Sequence, residues 1–348
     1  MSALSAIYGR VAAFRRSWYE GHPAARRRLA TPVISVGNLV VGGSGKTPAV
    51  AAIARLLLDM GERPAILSRG YARRTRADGV VVVSDGASVL ADVDASGDEP
   101  QMLARALPGV AMLVAADRYL AGRLAEQRFG ATVMVLDDAF QHLQLERTAD
   151  LLVVSPEDLG ERVLPSGRLR EPLTAARSAD AVLVYGSPEE AREVAEALGI
   201  GTAFIATNRY GPLRPIAGPP ASPGDRRVVA VAGIARPGRF FTALRDQGYD
   251  VAGELTFGDH HWFTASDIAR IAAAARAAQA SLVVTTEKDG VRLEGVPGVP
   301  GVPGVPEVPG VPEVPWAVMP LEVVIEPAAQ FSNWLQACLR NHLAGAHA

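Results

Sequence analysis

This sequence predicts an α/β fold, a parallel sheet sandwiched by helices with a second, smaller α/β domain after it. Three observations predict it. Short apolar runs alternate with helical stretches, a glycine-rich turn separates the first run from the first helix, and the series restarts after a composition break near residues 208–226.

The first run, Pro32 to Val36, enters the glycine-rich turn, and a helical stretch follows from Pro48 to Met60. Strand-like runs recur at Pro64 to Leu67, Val80 to Val83, Val110 to Val114, Val133 to Leu136, Leu151 to Val154 and Ala181 to Tyr185. Helical segments at Gln101 to Leu107 and Arg118 to Arg128 lie between several of them, the alternation that covers both faces of a parallel sheet. After the break come a strand at Val228 to Ala232, helices at Arg239 to Gln247 and Ala265 to Ala280, and strands at Leu282 to Thr286 and Leu321 to Ile325. The expected organisation is an N-terminal helical segment (1–30), a nucleotide-binding domain (31–210), a smaller α/β domain (225–327) and a C-terminal helix (328–348). A Val-Pro-Gly tract at 295–315 reads as an extended surface insertion, because its prolines forbid a helix or a central strand.

With 348 residues, two domains are the first expectation, and 21% charged residues with a net charge of -2 give no reason to expect a general nucleic-acid binder. One cysteine, Cys338, excludes an internal disulfide framework and a cysteine zinc site. No run of 18 apolar residues is present, so no ordinary transmembrane helix is expected. Leu4, Ile7, Tyr8, Val11, Phe14 and Trp18 recur at helical spacing beside six arginines and one acid in the first 30 residues. Such a helix either lies in an anionic membrane surface or packs on the protein's own core, and the spacing leaves both open.

The chemistry begins at Gly42-Gly43-Ser44-Gly45-Lys46-Thr47, between strand and helix. Glycines there let several backbone N–H groups converge on a phosphate. Lys46 is placed to reach the terminal phosphates and Thr47 to contact Mg²⁺, with the field of the helix N-terminus in support. Val40 stands where the usual G-x-x-x-x-G-K-[ST] pattern has its first glycine, and Gly42 and Gly43 supply the freedom instead. Asp137 and Asp138 emerge at the carboxyl end of an apolar run, where a P-loop needs an acid to manage Mg²⁺. The sheet is therefore expected to be of the P-loop NTPase type. The guanine-reading Asn-Lys-x-Asp motif is absent, which favours ATP.

Further segments are Pro32–Leu39, Ser68-Arg-Gly-Tyr71, Gly97-Asp-Glu-Pro100, Asp137-Asp-Ala-Phe-Gln-His142, Gly167-Arg-Leu-Arg-Glu-Pro172, Ala232-Gly-Ile234, Phe257-Gly-Asp-His260 and Thr285-Thr-Glu-Lys-Asp289. In order, over residues 7 to 293, the set resembles the tetraacyldisaccharide 4'-kinases of lipid A biosynthesis. Departures are the Val-Pro-Gly tract, a shorter N-terminal segment, and Ala139 where glycine is common.

The resemblance implies ATP- and Mg²⁺-dependent phosphorylation of the 4'-hydroxyl of an acylated glucosamine disaccharide 1-phosphate, giving lipid IVA. It implies a monotopic enzyme on the cytosolic face of the inner membrane, which favours the membrane role for the N-terminal helix. Asp98 matches the family's catalytic aspartate and His260 its partner, with Lys46 and Asp138 also in catalysis. The two are expected in different domains, so that the base assembles on closure. Gly42 to Thr47 and Arg170 match nucleotide-binding positions, and Thr47, Asp137 and Glu171 the Mg²⁺ site. Arg118 and His142 are candidates for the acceptor, whose 1-phosphate calls for arginine. Without the resemblance Gly97–Pro100 reads as a turn and helix cap, His142 equally as a core histidine or a site residue, and Asp259-His260-His261 suggests a metal site that no other ligand set with clear spacing supports. A rival reading is a membrane-attached P-loop ATPase or switch acting on protein partners, which needs no hydroxyl acceptor.

Overall fold

The computed structural model describes residues 2–71, 73–75, 78–217, 224, 226–299 and 314–346. The chain opens with helix α1 (Ala3–Gly21), and the first apolar run forms β1 (Val33–Gly37). Helix α2 (Lys46–Asp59), β2 (Pro64–Ser68) and β3 (Val81–Asp85) follow. Two helices, α3 (Val93–Ser96) and α4 (Asp98–Ala106), lead to β4 (Ala111–Val114), α5 (Arg118–Phe129), β5 (Val133–Asp137), β6 (Ala149–Val154) and β7 (Ala181–Val184). Then come α6 (Pro188–Leu198), β8 (Ala203–Tyr210), β9 (Arg214–Ala217), β10 (Arg227–Ala232), α7 (Pro237–Asp246), β11 (Asp250–Thr256), α8 (Ala265–Ala277) and β12 (Leu282–Thr286). The chain ends with α9 (Glu287–Leu293), β13 (Trp316–Met319), β14 (Leu321–Glu326) and α10 (Ala328–Ala346).

Nine strands form one sheet in the order β14-β8-β7-β6-β1-β5-β2-β4-β3. Its central pairs are parallel, and β3 is antiparallel to β4 at one edge. Strands β1, β2 and β5 are buried along their whole length, which is why they read as unbroken apolar runs rather than alternating ones. The predicted parallel sheet is present. A second sheet of five strands has the order β11-β10-β12-β13-β9. Strand β9 carries Pro215 and pairs antiparallel at the sheet edge, where a missing N–H costs no ladder bond.

The chain divides into two compact units. The larger comprises residues 1–96, 103–208 and 323–348, and the smaller residues 97–102 and 209–322. This differs from the domains expected at 31–210 and 225–327 in two places. Strand β14 belongs to the nine-stranded sheet, because Val323 and Ile325 join the core that holds Phe331, Leu335 and Leu339 of α10. Residues 97–102, at the start of α4, group with the smaller unit, which brings Asp98 into it. The stretch near 208–226 expected as linker contains the end of β8 and all of β9, while residues 218–223 and 225 lie outside the described ones. Most of the Val-Pro-Gly tract, residues 300–313, also lies outside them.

In the larger unit α1 is capped at Ser2 and held by polar contacts on one side, with the Ser5 hydroxyl 2.7 Å from Ser166. Leu4, Ile7, Tyr8, Val11, Phe14 and Trp18 are all exposed, so the apolar row is not spent on the protein's own core. Arg16, one of the six arginines of this segment, is buried.

Candidate functional site

Strand β1 lies between β5 and β6, and its register sets Val36 level with Asp137 at the end of β5. The glycine-rich turn that leaves β1 and the acids that leave β5 therefore emerge from adjacent strand ends, the place where open α/β sheets bind ligands. Gly45 caps α2 in the left-handed region, at φ +80, with no side chain to occupy the helix's first N–H groups. A Cβ at Gly45 would come within 2.5 Å of the Tyr185 ring, whose hydroxyl donates to the Gly45 carbonyl at 2.8 Å. Gly42 also has positive φ, at +96, with open space where a Cβ would be, so glycine is needed there for backbone conformation alone.

Lys46 is buried and its ammonium donates to Asn38 Oδ1 at 3.0 Å and to Ser44 Oγ at 3.2 Å. Asp138 Oδ1 lies 3.4 Å from the same nitrogen. From the other side Arg170 Nη1 donates to both Asp138 oxygens at 2.9 Å. Burial pushes the Asp138 carboxyl up, but the Lys46 and Arg170 charges outweigh it and hold the group below its ordinary range. Asp138 adopts φ +50, an uncommon backbone for a residue other than glycine. The structure thus brings Lys46, Asp138 and Arg170 together, and adds Asn38 and Tyr185, which sequence reasoning missed. Asn38 stands inside the Pro32–Leu39 segment, but nothing in the segment's pattern says that its amide will meet the lysine.

Thr47 and Asp137 are buried at the start of α2 and the end of β5. Glu171, expected with them, has another partner. Its Oε2 lies 2.7 Å from Arg16 Nε, with both side chains almost wholly buried. The Arg16 guanidinium also donates to the Phe140 carbonyl at 3.2 Å and covers the Phe140 ring at 4.3 Å. A carboxylate so neutralised is not placed here for a metal.

Arg118, at the start of α5, is buried with Nε unpaired, and burial together with the neighbouring Arg69 charge pushes its pKa down to about 10. His142 is half-buried with Nε2 unpaired, and burial, Arg118 and Arg147 push it down to about 4, so its ring is neutral at physiological pH. Arginines held near one another at such a cost suit an anion that is to come.

In the smaller unit Asp98 is buried and its Oδ2 lies 2.9 Å from His260 Nδ1. The expectation that these two come from different domains is corrected, since both belong to this one unit. The reason is local packing of charge: Arg292 Nε sits 3.4 Å from the same oxygen, and the Glu99 backbone N–H donates to Oδ1 at 2.9 Å. Burial raises the Asp98 carboxyl, while the His260 hydrogen bond and the Lys288 charge bring it net below its ordinary value. His260 has φ +59, so it shares with Asp138 the left-handed backbone common at functional positions. Among the described residues no group of three or more His, Cys, Asp or Glu could hold a metal ion by itself.

A family described as tetraacyldisaccharide-1-P 4'-kinase matches residues 1–340 of this chain. A tetraacyldisaccharide 4'-kinase from Geobacter metallireducens is 41% identical over 306 residues, covering 84% of this chain and 88% of its own length. One from Anaeromyxobacter sp. (strain Fw109-5) is 43% identical over 296 residues, covering 81% of this chain and 79% of its own. Among solved structures, the "apo" form of LpxK from Aquifex aeolicus in complex with ATP is similar over 97% of each chain, with a TM-score of 0.74 and 30% identity.

Proposed function

The chain belongs to the tetraacyldisaccharide-1-P 4'-kinase family, and on that premise we propose that it moves the γ-phosphoryl group of ATP onto the 4'-hydroxyl of an acylated glucosamine disaccharide 1-phosphate in lipid A synthesis, giving lipid IVA. It is an ATP-dependent phosphotransferase with an alcohol acceptor. The observation that carries the reading is the buried Lys46 ammonium at the uncapped start of α2, facing the end of β5.

Phosphoryl transfer asks a protein mainly for position and charge neutralisation. Lys46 exchanges its contact with Asp138 for phosphate oxygens, and Gly42, Gly43, Ser44 and Gly45 offer backbone N–H groups to the same anion. Arg170, released from part of its pairing with Asp138, neutralises phosphate charge as well. Asp98 takes the acceptor's proton as the 4'-oxygen bonds to phosphorus and the bond to the ADP oxygen breaks, while His260 orients the carboxylate. Arg118 and His142 contact the anionic acceptor. Mg²⁺ prefers hard oxygen donors and one or two carboxylates, which fits the Thr47 hydroxyl and the Asp137 carboxylate as its protein ligands. Bound there it would neutralise charge on the nucleotide phosphates.

The exposed apolar row of α1, with arginines beside it, supports peripheral attachment to an anionic membrane. No helix among the described residues is long and apolar enough to cross a membrane. ATP and the lipid acceptor meet at the cytosolic face of the inner membrane in this reading.

The test is incubation with labelled ATP and the acylated disaccharide 1-phosphate. A new 4'-phosphate ester that depends on the acceptor supports the kinase, and ATP hydrolysis at the same rate without acceptor overturns it.

A further inference from the structure

Lys288 stands at the second position of α9, and its ammonium reaches three neighbours. Glu99 Oε1 is at 3.2 Å, Asp259 Oδ1 at 3.4 Å, and His260 Nε2 at 3.2 Å. An ammonium has protons to give and no lone pair to offer, so the His260 nitrogen facing it must be the acceptor. The ring proton then sits on Nδ1 and points at Asp98 Oδ2, 2.9 Å away. One turn along α9, Arg292 places Nε 3.4 Å from that same oxygen. Its guanidinium is itself fixed by Asp289 at 2.6 Å and by the carbonyls of Gly233 and His261 at 3.1 and 2.9 Å.

The charges around the imidazole are therefore Asp98 and Glu99 from α4, Asp259 from the segment after β11, and Lys288 and Arg292 from α9. Arg292 is already matched by Asp289. Lys288 is then the main cation set against Glu99 and Asp259, and one of two set against Asp98.

We propose that Lys288 is a positioning residue for proton transfer: it holds His260 as the Nδ1–H tautomer and keeps Asp98 ionised, so that one protonation state meets the acceptor hydroxyl. The proposal rests on the reading of Asp98 as the base. Two effects of the cation oppose each other. Stabilising the carboxylate lowers its intrinsic strength as a base, while fixing the tautomer and the ionised form raises the fraction of enzyme ready to react. The buried setting decides for the second, because burial raises the carboxyl and Lys288 is one of the cations that bring it back down. Burial lowers the pKa of Lys288 itself, but Glu99, Asp98 and Asp259 raise it further, so it remains charged throughout the working range.

The experiment uses the full chain with Lys288→Met and Lys288→Arg. Acceptor-dependent phosphoryl transfer is followed from pH 5 to 9, and the His260 ring nitrogens are read by ¹⁵N NMR, assigned with His260→Ala. In the wild type the ring should show the Nδ1–H tautomer alone. In Lys288→Met the ring should become a mixture of states, and an acid limb that the wild type does not show above about pH 5 should enter the profile, with kcat at about pH 5 at least about twofold below its value at about pH 8 and the KM for ATP unchanged. Lys288→Arg should return the profile to the wild-type shape. A wild-type ring without the Nδ1–H tautomer overturns the proposal, and so does a Lys288→Met variant whose kcat is unchanged or higher, or whose activity falls only with its folded fraction. Loss of the base reading shows separately, as an Asp98→Asn variant that keeps its turnover while the NMR signature of His260 stays as predicted.

Discussion

Around the glycine-rich turn, Lys46, Asp138 and Arg170 satisfy one another across a site open to solvent on the acid's side, where the Asp138 side chain is 39% exposed. Around α9, Asp98 is 2% exposed and meets His260, Arg292 and the field of Lys288 in a closed arrangement. The first cluster can trade partners cheaply, because water and an incoming phosphate can each replace a carboxylate at a partly exposed cation contact. The second cannot, because removing one partner would strand a buried charge. A nucleotide site must exchange ligands in every turnover, whereas a base must return to the same state each time. On the proposed function, the two clusters suit those two tasks.

The sharpest way to break this contrast is Lys46→Met. It removes the cation that neutralises the transferring group, so kcat/KM for ATP should fall about 10³–10⁵-fold, with ATP affinity lost as well. Asp98→Asn should reduce kcat by about 10²–10⁴-fold and leave the KM for ATP close to that of the wild type. If Asp98→Asn weakened ATP as much as Lys46→Met did, the two clusters would not have separate tasks. Steady-state kinetics with both substrates varied gives the split.

The pH dependence follows from the same burial. Asp98 lies below its ordinary value of 3.8, so its ionised form persists as pH falls until that depressed pKa is reached. The stability it contributes is present above the unfolded pKa and lost as pH falls through the folded one. A wild-type kcat profile should therefore show no Asp98 limb between about pH 5 and 8.

Arg16→Met sharpens the contrast within the larger unit, since Arg16 and Glu171 form a buried pair there. Leaving Glu171 uncompensated should cost about 3–5 kcal/mol in denaturant unfolding, and the double variant Arg16→Met with Glu171→Gln should recover part of it. The smallest effect belongs to Tyr185→Phe, which removes the hydrogen bond to the Gly45 carbonyl and should cost about 1 kcal/mol in ATP binding by calorimetry.

The parallel sheet was legible because both faces of its central strands are covered, and burial on both faces leaves only apolar runs. Strands of the smaller sheet were harder. Asp250–Thr256 mixes charge, glycine and alanine, and Arg214–Ala217 contains a proline, so neither has the pattern of a buried strand. The burial of Arg16 was not legible for a related reason. Its neighbours in sequence are exposed and basic, and only the packing of α1 against the Phe140 and Glu171 segments turns this one inward.

Local sequence by itself determined the glycine-rich turn, because a phosphate site there would use backbone N–H groups and the glycines that free them, Gly42, Gly43 and Gly45, are clustered in sequence. It also determined which runs become central strands. Which acid is held by which cation was decided by tertiary structure alone. Asp98 and His260 are 162 residues apart, Lys288 lies 28 beyond His260, and Arg16 meets Glu171 across 155. Electrostatic pairing acts over a few ångströms of space, and spacing along the chain carries no record of it until the fold has closed those loops.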